Sequence, residues 1–251
     1  MTADALWDTL TAPGHPFARP ASGELPAITL NMVASVDGAT ALDGRVGRLT
    51  GPVDQALLRR LREESDAVLV GTATVRAEGY GTILRAEARE RRARARGSAE
   101  PLLCVVSRDA RLPPDSPALR AAPGPLMFLT SDAAVLPQGE REVLAIRSPA
   151  AQPGEPDVLR PLLERLRAEH GVERIICEGG SRLNASLLAE GLVGELFVAV
   201  SPLLAREPVS PPLVAGVATP LDLELIAHAT AEDFVFLRYR LLNALDRRSW
   251  N

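Results

Sequence analysis

The sequence predicts an α/β domain with a mostly parallel central sheet, covered by helices and closed by antiparallel C-terminal strands. Short runs such as Ala67-Val68-Leu69-Val70 and Arg174-Ile175-Ile176-Cys177 have the near-continuous apolar character of strands buried on both faces. Segments with helical spacing alternate with them, as parallel neighbours require, because each crossover between parallel strands takes a dozen residues or more. Leu221 to Leu225 and Asp233 to Leu242 then stand close enough in sequence to pair antiparallel.

Residues 1–26 hold Pro13, Pro16, Pro20 and Pro26 and no sustained period, so they read as an N-terminal arm ahead of a domain over 27–251. Ala27 to Ala34 is the first buried-type strand and runs into Ser35-Val36-Asp37-Gly38. Pro52 to Arg62 has proline early, acid in the first turn and arginine late, the polarity a helix dipole favours. Strands follow at 67–71 and 101–107, with an arginine-rich solvated helix over 85–96 between them. Residues 125–130 and 142–146 read as further strands. Leucines 159, 162, 163 and 166 mark a helix over 157–169. A strand at 174–177, a helix over 183–192 and a strand at 195–201 complete the alternation. Pro202 to Pro220 reads as a surface loop.

Composition narrows the function. The chain has 251 residues, 46% of them hydrophobic, and its 28 basic and 32 acidic residues leave a net charge of −4. That balance argues against a nucleic-acid partner, and no run approaches the 18 apolar residues that a membrane span needs. The first residues carry two aspartates and no basic group before an apolar run, so no secretory leader is expected. Cys104 and Cys177 are 73 positions apart inside apolar runs, the pattern of two buried thiols in a reducing cytoplasm. No cysteine or histidine stands at metal-ligand spacing. All 28 basic residues are arginine, which excludes Schiff-base and lysine-base mechanisms.

The segment Cys177-Glu178-Gly179-Gly180-Ser181-Arg182-Leu183-Asn184 ends a strand in two glycines and opens a helix that Ser181 can cap. Such a turn presents free N–H groups and the positive end of a helix dipole, and suits a pyrophosphate; by itself it is equally an ordinary loop. Glu178 would repel a phosphate there, so in a functional site it faces an N–H-rich part of a substrate. Asp37 follows the first strand and is either an Asp-Gly turn residue or a second acid at the same sheet end. Gly71 to Glu78 and Ser107-Arg108 follow two more buried strands, and serine beside arginine suits a phosphate monoester. Three polar turns after buried strands point to one cleft at the carboxyl ends of the strands.

Asn31 to Gly38, Val70 to Arg76 and Glu178 to Leu188, in this order, resemble the pyrimidine reductase family. That family includes the C-terminal reductase domain of the bifunctional riboflavin-biosynthesis enzymes and shares the dihydrofolate reductase fold. The resemblance covers about residues 27–240. It implies reduction by NADPH, with Val33, Gly71, Thr74, Glu78 and Gly179 on the cofactor, Ser107 and Arg108 at the adenosine 2′-phosphate, and Gly180 to Ser186, with Ser181, Arg182, Leu183 and Asn184 among them, at the pyrophosphate. It also implies Arg62, Arg85 and Glu178 on a phosphoribosylamino-pyrimidine, Asp37 near the reacting ring, and a homodimer. Where many members read Asp-Asp-Pro-x-Leu-Thr-x-Arg, this chain reads Glu78-Gly79-Tyr80-Gly81-Thr82-Ile83-Leu84-Arg85. That departure leaves two alternatives beside the riboflavin-type reaction: reduction of a pterin, and a nucleotide-binding protein without turnover.

Overall fold

The computed structural model describes residues 1–17, 23–149, 158–205, 210–216 and 219–242. Nine strands form one sheet: β1 (Ala27–Ser35), β2 (Ala67–Gly71), β3 (Leu102–Val106), β4 (Leu126–Ser131), β5 (Val143–Ser148), β6 (Arg174–Cys177), β7 (Val193–Ser201), β8 (Leu223–Ala231) and β9 (Phe234–Leu241). Their spatial order is β5-β4-β3-β2-β6-β1-β7-β9-β8. The first seven pair parallel, and β9 pairs antiparallel with β7 and β8. The predicted architecture is therefore the observed one.

Strand alternation divides the core into two layers. Val68, Val70, Leu103, Val105 and Phe128 face one side of the sheet. Over them lie α1 (Ala3–Thr11), α2 (Pro52–Glu64), α3 (Thr72–Glu78) and α4 (Ala86–Arg96), through Leu6, Leu10, Val53, Leu57, Leu61, Val75 and Ala88. Leu69, Cys104, Met127 and Ile175 face the other side, under α5 (Arg160–His170) and α6 (Ser181–Ala189). The first crossovers thus cover one face and the later ones the other. Because β6 inserts between β2 and β1, the loops at the carboxyl ends part there, which is where open α/β sheets place a ligand.

The structure corrects several sequence expectations. Within the expected arm, α1 is a helix of nine residues, with Thr2 as N-cap accepting from the Ala5 N–H at 3.2 Å. Leu6 and Leu10 are fully buried, each burial worth about 1.5–3 kcal/mol. The part of the arm at 18–22, with Pro20, lies outside the described residues, as do Asp157 and residues 243–251 of the expected domain. Gly71 to Glu78, read as a polar turn, contains α3. Ser181 is the first residue of α6 rather than its cap: Gly180 holds the N-cap position and no side chain caps the helix. Of the proline-rich loop, residues 202–205, 210–216 and 219–220 are described and contain no helix or strand.

A buried ion pair ties α1 to the sheet. Arg238 on β9 donates Nε and Nη2 to Glu195 on β7 at 3.0 and 2.9 Å, and the two residues are only 2% and 1% exposed. The remaining donors reach the carbonyls of Leu10, Gly14 and His15 at 2.9, 2.6 and 3.1 Å, and the guanidinium lies 5.5 Å from the Phe197 ring centroid. Burial pushes the Glu195 carboxyl up and Arg238 pulls it back. Arg238→Met strands that carboxylate in the core, so a loss of about 3–5 kcal/mol is expected in denaturant unfolding. Adding Glu195→Leu should recover much of the loss.

Candidate active site

The adjacent strands β2 and β6 end together, and the backbone joins their ends: the Glu178 N–H donates to the Leu69 carbonyl at 3.0 Å, and the Gly71 N–H to the Gly179 carbonyl at 2.8 Å. Gly179 has φ +89°, a conformation that side-chain-bearing residues rarely adopt. A Cβ on Gly180 would stand 3.3 Å from the Thr74 hydroxyl oxygen. The peptide between the two glycines is cis. These features bring bare backbone beside Thr74 and the uncapped start of α6, whose first-turn N–H groups have no partner within the helix. Unsatisfied donors at a helix's positive end, beside a hydroxyl, fit the pyrophosphate of a dinucleotide.

The residues expected around that turn have different roles. Gly71, Thr74, Gly179, Gly180 and Ser181 converge on it, and Arg182 is exposed at its rim. Leu183 belongs to the core, so only its backbone N–H can serve a ligand. Asn184 is fully buried, and its side chain packs under the turn, with Nδ2 only 3.6 Å from where a Cβ on Gly179 would stand; Nδ2 donates to the Leu213 carbonyl at 2.9 Å, and Oδ1 accepts from the Cys177 thiol at 3.7 Å. It anchors α6 to the loop over 210–216. Val33 lies in the core, 9% exposed. Glu78, expected on the cofactor, is exposed and accepts the Val46 N–H at 3.0 Å. Burial pushes the Cys177 thiol up to about 12, and that of Cys104 further, so both stay protonated.

Across the strand end from the glycine turn is a cluster that sequence reasoning saw in part. Arg62 on α2 grips Glu178 with two parallel bonds, Nε to Oε1 and Nη2 to Oε2, both 2.6 Å. The Tyr80 hydroxyl donates to the same Oε2 at 2.5 Å, and the guanidinium sits 5.6 Å from the Tyr80 ring centroid. Burial and the neighbouring Glu178 push the Tyr80 phenol well above its ordinary value, so it stays a donor. The Glu178 side chain is 6% exposed, and Oε1 keeps a lone pair for a further donor. Arg62 and Glu178 were expected as separate substrate contacts; the structure makes them one unit and adds Tyr80. The available signal was the departure itself, an aromatic residue where many family members have a different segment.

Asp37 is placed elsewhere. The register sets Leu30 on β1 against Cys177, so the residues that leave the two strands side by side are Asn31 and Glu178. The strand continues to Ser35, about 13 Å farther at 3.3 Å per residue, before the Asp37 turn begins. Asp37 is exposed, and its Oδ1 accepts from the Ser35 hydroxyl at 2.5 Å and the Ala205 N–H at 2.9 Å. It fastens the end of β1 to the loop after β7. Asp37 and Glu178 thus stand at different points along the sheet end and share no hydrogen bond among the described residues.

Ser107 and Arg108 follow β3 and border a cleft of about 200 Å³ with Asp109, Arg111, Ser131 and Ala133 to Val135. Arg108 is exposed, whereas Ser107 is buried and donates its hydroxyl to Asp109 Oδ1 at 3.1 Å. Slight burial raises the Asp109 carboxyl, but the Arg111 N–H and the Ser107 hydroxyl outweigh it and hold the group below the usual carboxylate range. The cleft thus carries two arginines, Arg108 and Arg111, and one carboxylate, Asp109, which pairs with Arg111 at 3.5 Å. Arg85 is exposed at the N-cap of α4. No group of three or more metal-ligating side chains occurs among the described residues, and none of their helices is long and apolar enough to cross a membrane.

The arrangement has known counterparts. The family model described as the RibD C-terminal domain matches residues 26–235. The chain belongs to the RibD C-terminal domain family. Among curated members, a protein of Archaeoglobus fulgidus named 2,5-diamino-6-ribosylamino-4(3H)-pyrimidinone 5′-phosphate reductase is 32% identical over 194 residues, covering 76% of this chain and 87% of that one. The reductase of the same name from Methanothermobacter thermautotrophicus is 34% identical over 181 residues, 71% of this chain and 79% of its own. A crystal structure of a pyrimidine reductase-like protein from Corynebacterium diphtheriae shares the fold, with TM-score 0.72, 21% identity and coverage of 97% and 100%. The chain is thus a reductase of the RibD type, a kind that works with a nicotinamide cofactor.

Tyr80→Phe should separate the parts of the cluster. It removes one donor from Glu178 and leaves the Arg62 pair, at an expected cost of about 1.5–3 kcal/mol, seen as weaker substrate capture with cofactor affinity unchanged. In an alkaline absorbance titration, wild type should show a phenol that ionises above the ordinary value of 10.0, and the variant should lack that late step. If the step that the variant loses lies at the ordinary value instead, Tyr80 does not belong to the cluster.

Proposed function

We propose that this chain is an NADPH-dependent reductase that converts the ribosylamino substituent of a phosphorylated aminopyrimidine into the ribitylamino form, a step of riboflavin synthesis. One observation supports it above the others: an uncapped helix start and a glycine turn lie on one side of a strand end, and on the other side is a carboxylate locked by Arg62 and Tyr80. The first suits a dinucleotide pyrophosphate and the second the N–H edge of a heterocycle. The curated relatives carry the name of such a reductase. Their ring bears an amino group where the corresponding uracil has a carbonyl, and both belong to the substrate class proposed here.

When bound, NADPH supplies a hydride to the carbon of the ring-opened sugar's carbon–nitrogen double bond. The π pair moves onto nitrogen, which takes a proton. The protein's part is placement. Glu178, already accepting from three N–H and O–H donors, is an acceptor; its free Oε1 lone pair takes a pyrimidine N–H and fixes the ring in its plane. Gly179 to Leu183 and Thr74 hold the pyrophosphate, and Ser107 with Arg108 the adenosine 2′-phosphate. Asp37, in the turn beyond the end of β1, is assigned to the sugar end of the extended substrate, as the acid or the residue that orders a water beside the nitrogen. We place the enzyme in the cytoplasm. We read the half-open sheet face carrying Leu223, Leu225 and Val235, each 36–48% exposed, as the contact of a homodimer.

The decisive assay follows NADPH absorbance with the diaminopyrimidinone phosphate, the uracil phosphate and dihydrofolate in turn. Turnover with a phosphoribosyl compound, and none with dihydrofolate, is expected; the reverse, or binding without turnover, overturns the proposal. Asp37→Asn should lower kcat by about 100-fold or more, in the range of general acid catalysis, with NADPH affinity unaltered. Unchanged turnover would assign Asp37 to the turn alone.

A further inference from the structure

Tyr80 reaches Glu178 from a segment that no helix or strand holds. It stands between Gly79, the left-handed cap of α3 with φ +68°, and Gly81, and regular structure resumes only at Ala86. Among the described residues, the main-chain groups of residues 80–84 bond to no other main-chain group. Charged side chains supply the bonds instead. The Glu100 carboxylate, just before β3, accepts the Ile83 N–H on Oε2 at 3.2 Å and the Leu84 N–H on Oε1 at 3.5 Å. Its side chain is 2% exposed, with Arg89 at 4.0 Å. The buried Arg141 guanidinium donates Nη1 to the Gly81 carbonyl at 3.5 Å and Nε to the Gly124 carbonyl, just before β4, at 2.8 Å. Arg62 adds Nη1 to the Ile83 carbonyl at 3.5 Å. Burial holds the Arg141 guanidinium below its ordinary value, and the charge of Glu100 offsets part of that. A guanidinium bonded to carbonyls alone is costly to bury, and what it provides here is a fixed place for Gly81 beside Tyr80.

We infer that Glu100 and Arg141 are positioning residues for Tyr80: they tie down residues 81–84 so that the phenol meets Glu178, and they strengthen substrate capture from outside the site. The inference rests on Glu178 as the anchor of the substrate ring, proposed above, and deepens that reading by naming what sets the anchor. Glycines on both sides leave Tyr80 many backbone conformations. One tether at residues 83 and 84 and another at 81 remove that freedom during folding, so a ligand meets the hydroxyl already in place. Both tethers leave from loops that enter central strands, β3 and β4, which the sheet holds on either side.

The test reads the phenol and the substrate separately. In an alkaline absorbance titration, Glu100→Ala should bring the Tyr80 step down toward its ordinary value of 10.0, with Tyr80→Phe identifying that step. A folded Glu100→Ala whose Tyr80 ionises as late as in wild type overturns the inference. In turnover, Glu100→Ala should lower kcat/KM for the phosphoribosyl substrate by about 10-fold or more, the effect of one lost bond to a charged group, with NADPH affinity unaltered. In a Tyr80→Phe background the same substitution should cost less than about twofold, because no hydroxyl is left to place. Equal losses in both backgrounds would make Glu100 a residue of general stability and sink the positioning role. Glu100→Gln keeps the volume and one acceptor oxygen, so it should shift both readouts by less and guards against a folding defect in the alanine variant. Arg141→Met should move both in the same direction; an unmoved phenol there removes Arg141 from the pair. If the phenol moves as expected and no substrate is reduced, the positioning role stands and the proposed reaction fails.

Discussion

The site depends on how Glu178 is held. A carboxylate 6% exposed at the end of a central strand is costly unless its charge and lone pairs are met. Here the half-buried Arg62 guanidinium meets it with two parallel bonds and a phenol adds a third. Arg62 comes from α2 and Tyr80 from the segment after α3, so one contact ties the crossover that follows β1 to the crossover that follows β2. The orientation of the anchor is therefore set by packed helices, and a ligand finds it preorganised. Burial of the phenol and its neighbouring negative charge have the further effect of keeping Tyr80 a donor.

The two sides of the strand end have opposite electrostatic character. On one side, the glycine turn brings N–H groups and the positive end of α6 to the surface without a side chain in the way. On the other side a carboxylate faces inward, held by Arg62 and Tyr80. Had Glu178 been free, it would have repelled a phosphate in the adjoining turn; engaged by Arg62, its field on that turn is largely cancelled. The same logic operates at Asp109, whose charge is held by the Ser107 hydroxyl and the Arg111 N–H while Arg108 remains exposed. Such neutralisation lets acidic residues stand beside donor-rich backbone and exposed guanidinium groups.

A second buried ion pair, Arg238 with Glu195, serves the fold rather than the site. It gathers three carbonyls around the end of α1 and so converts a proline-punctuated N-terminal stretch into a covering element for β7 and β9. That contact joins residues more than 180 positions apart, and nothing local in the first 26 residues announces it.

By itself the sequence determined the elements and their class. Buried-type strands, helix polarity and the Gly-Gly turn are local properties, written in runs of a few residues that the backbone reads directly, so the sheet, its parallel majority and the glycine turn were all legible. Tertiary structure alone decided which polar side chains meet. That Arg62, Tyr80 and Glu178 form one unit depends on β6 inserting between β2 and β1, a pairing that brings together residues 116 and 98 positions apart. The same insertion determined that Asn31 comes level with Glu178 and that Asp37 lies beyond it. Strand register and crossover placement minimise the free energy of the whole core, and no short window of residues contains that minimum.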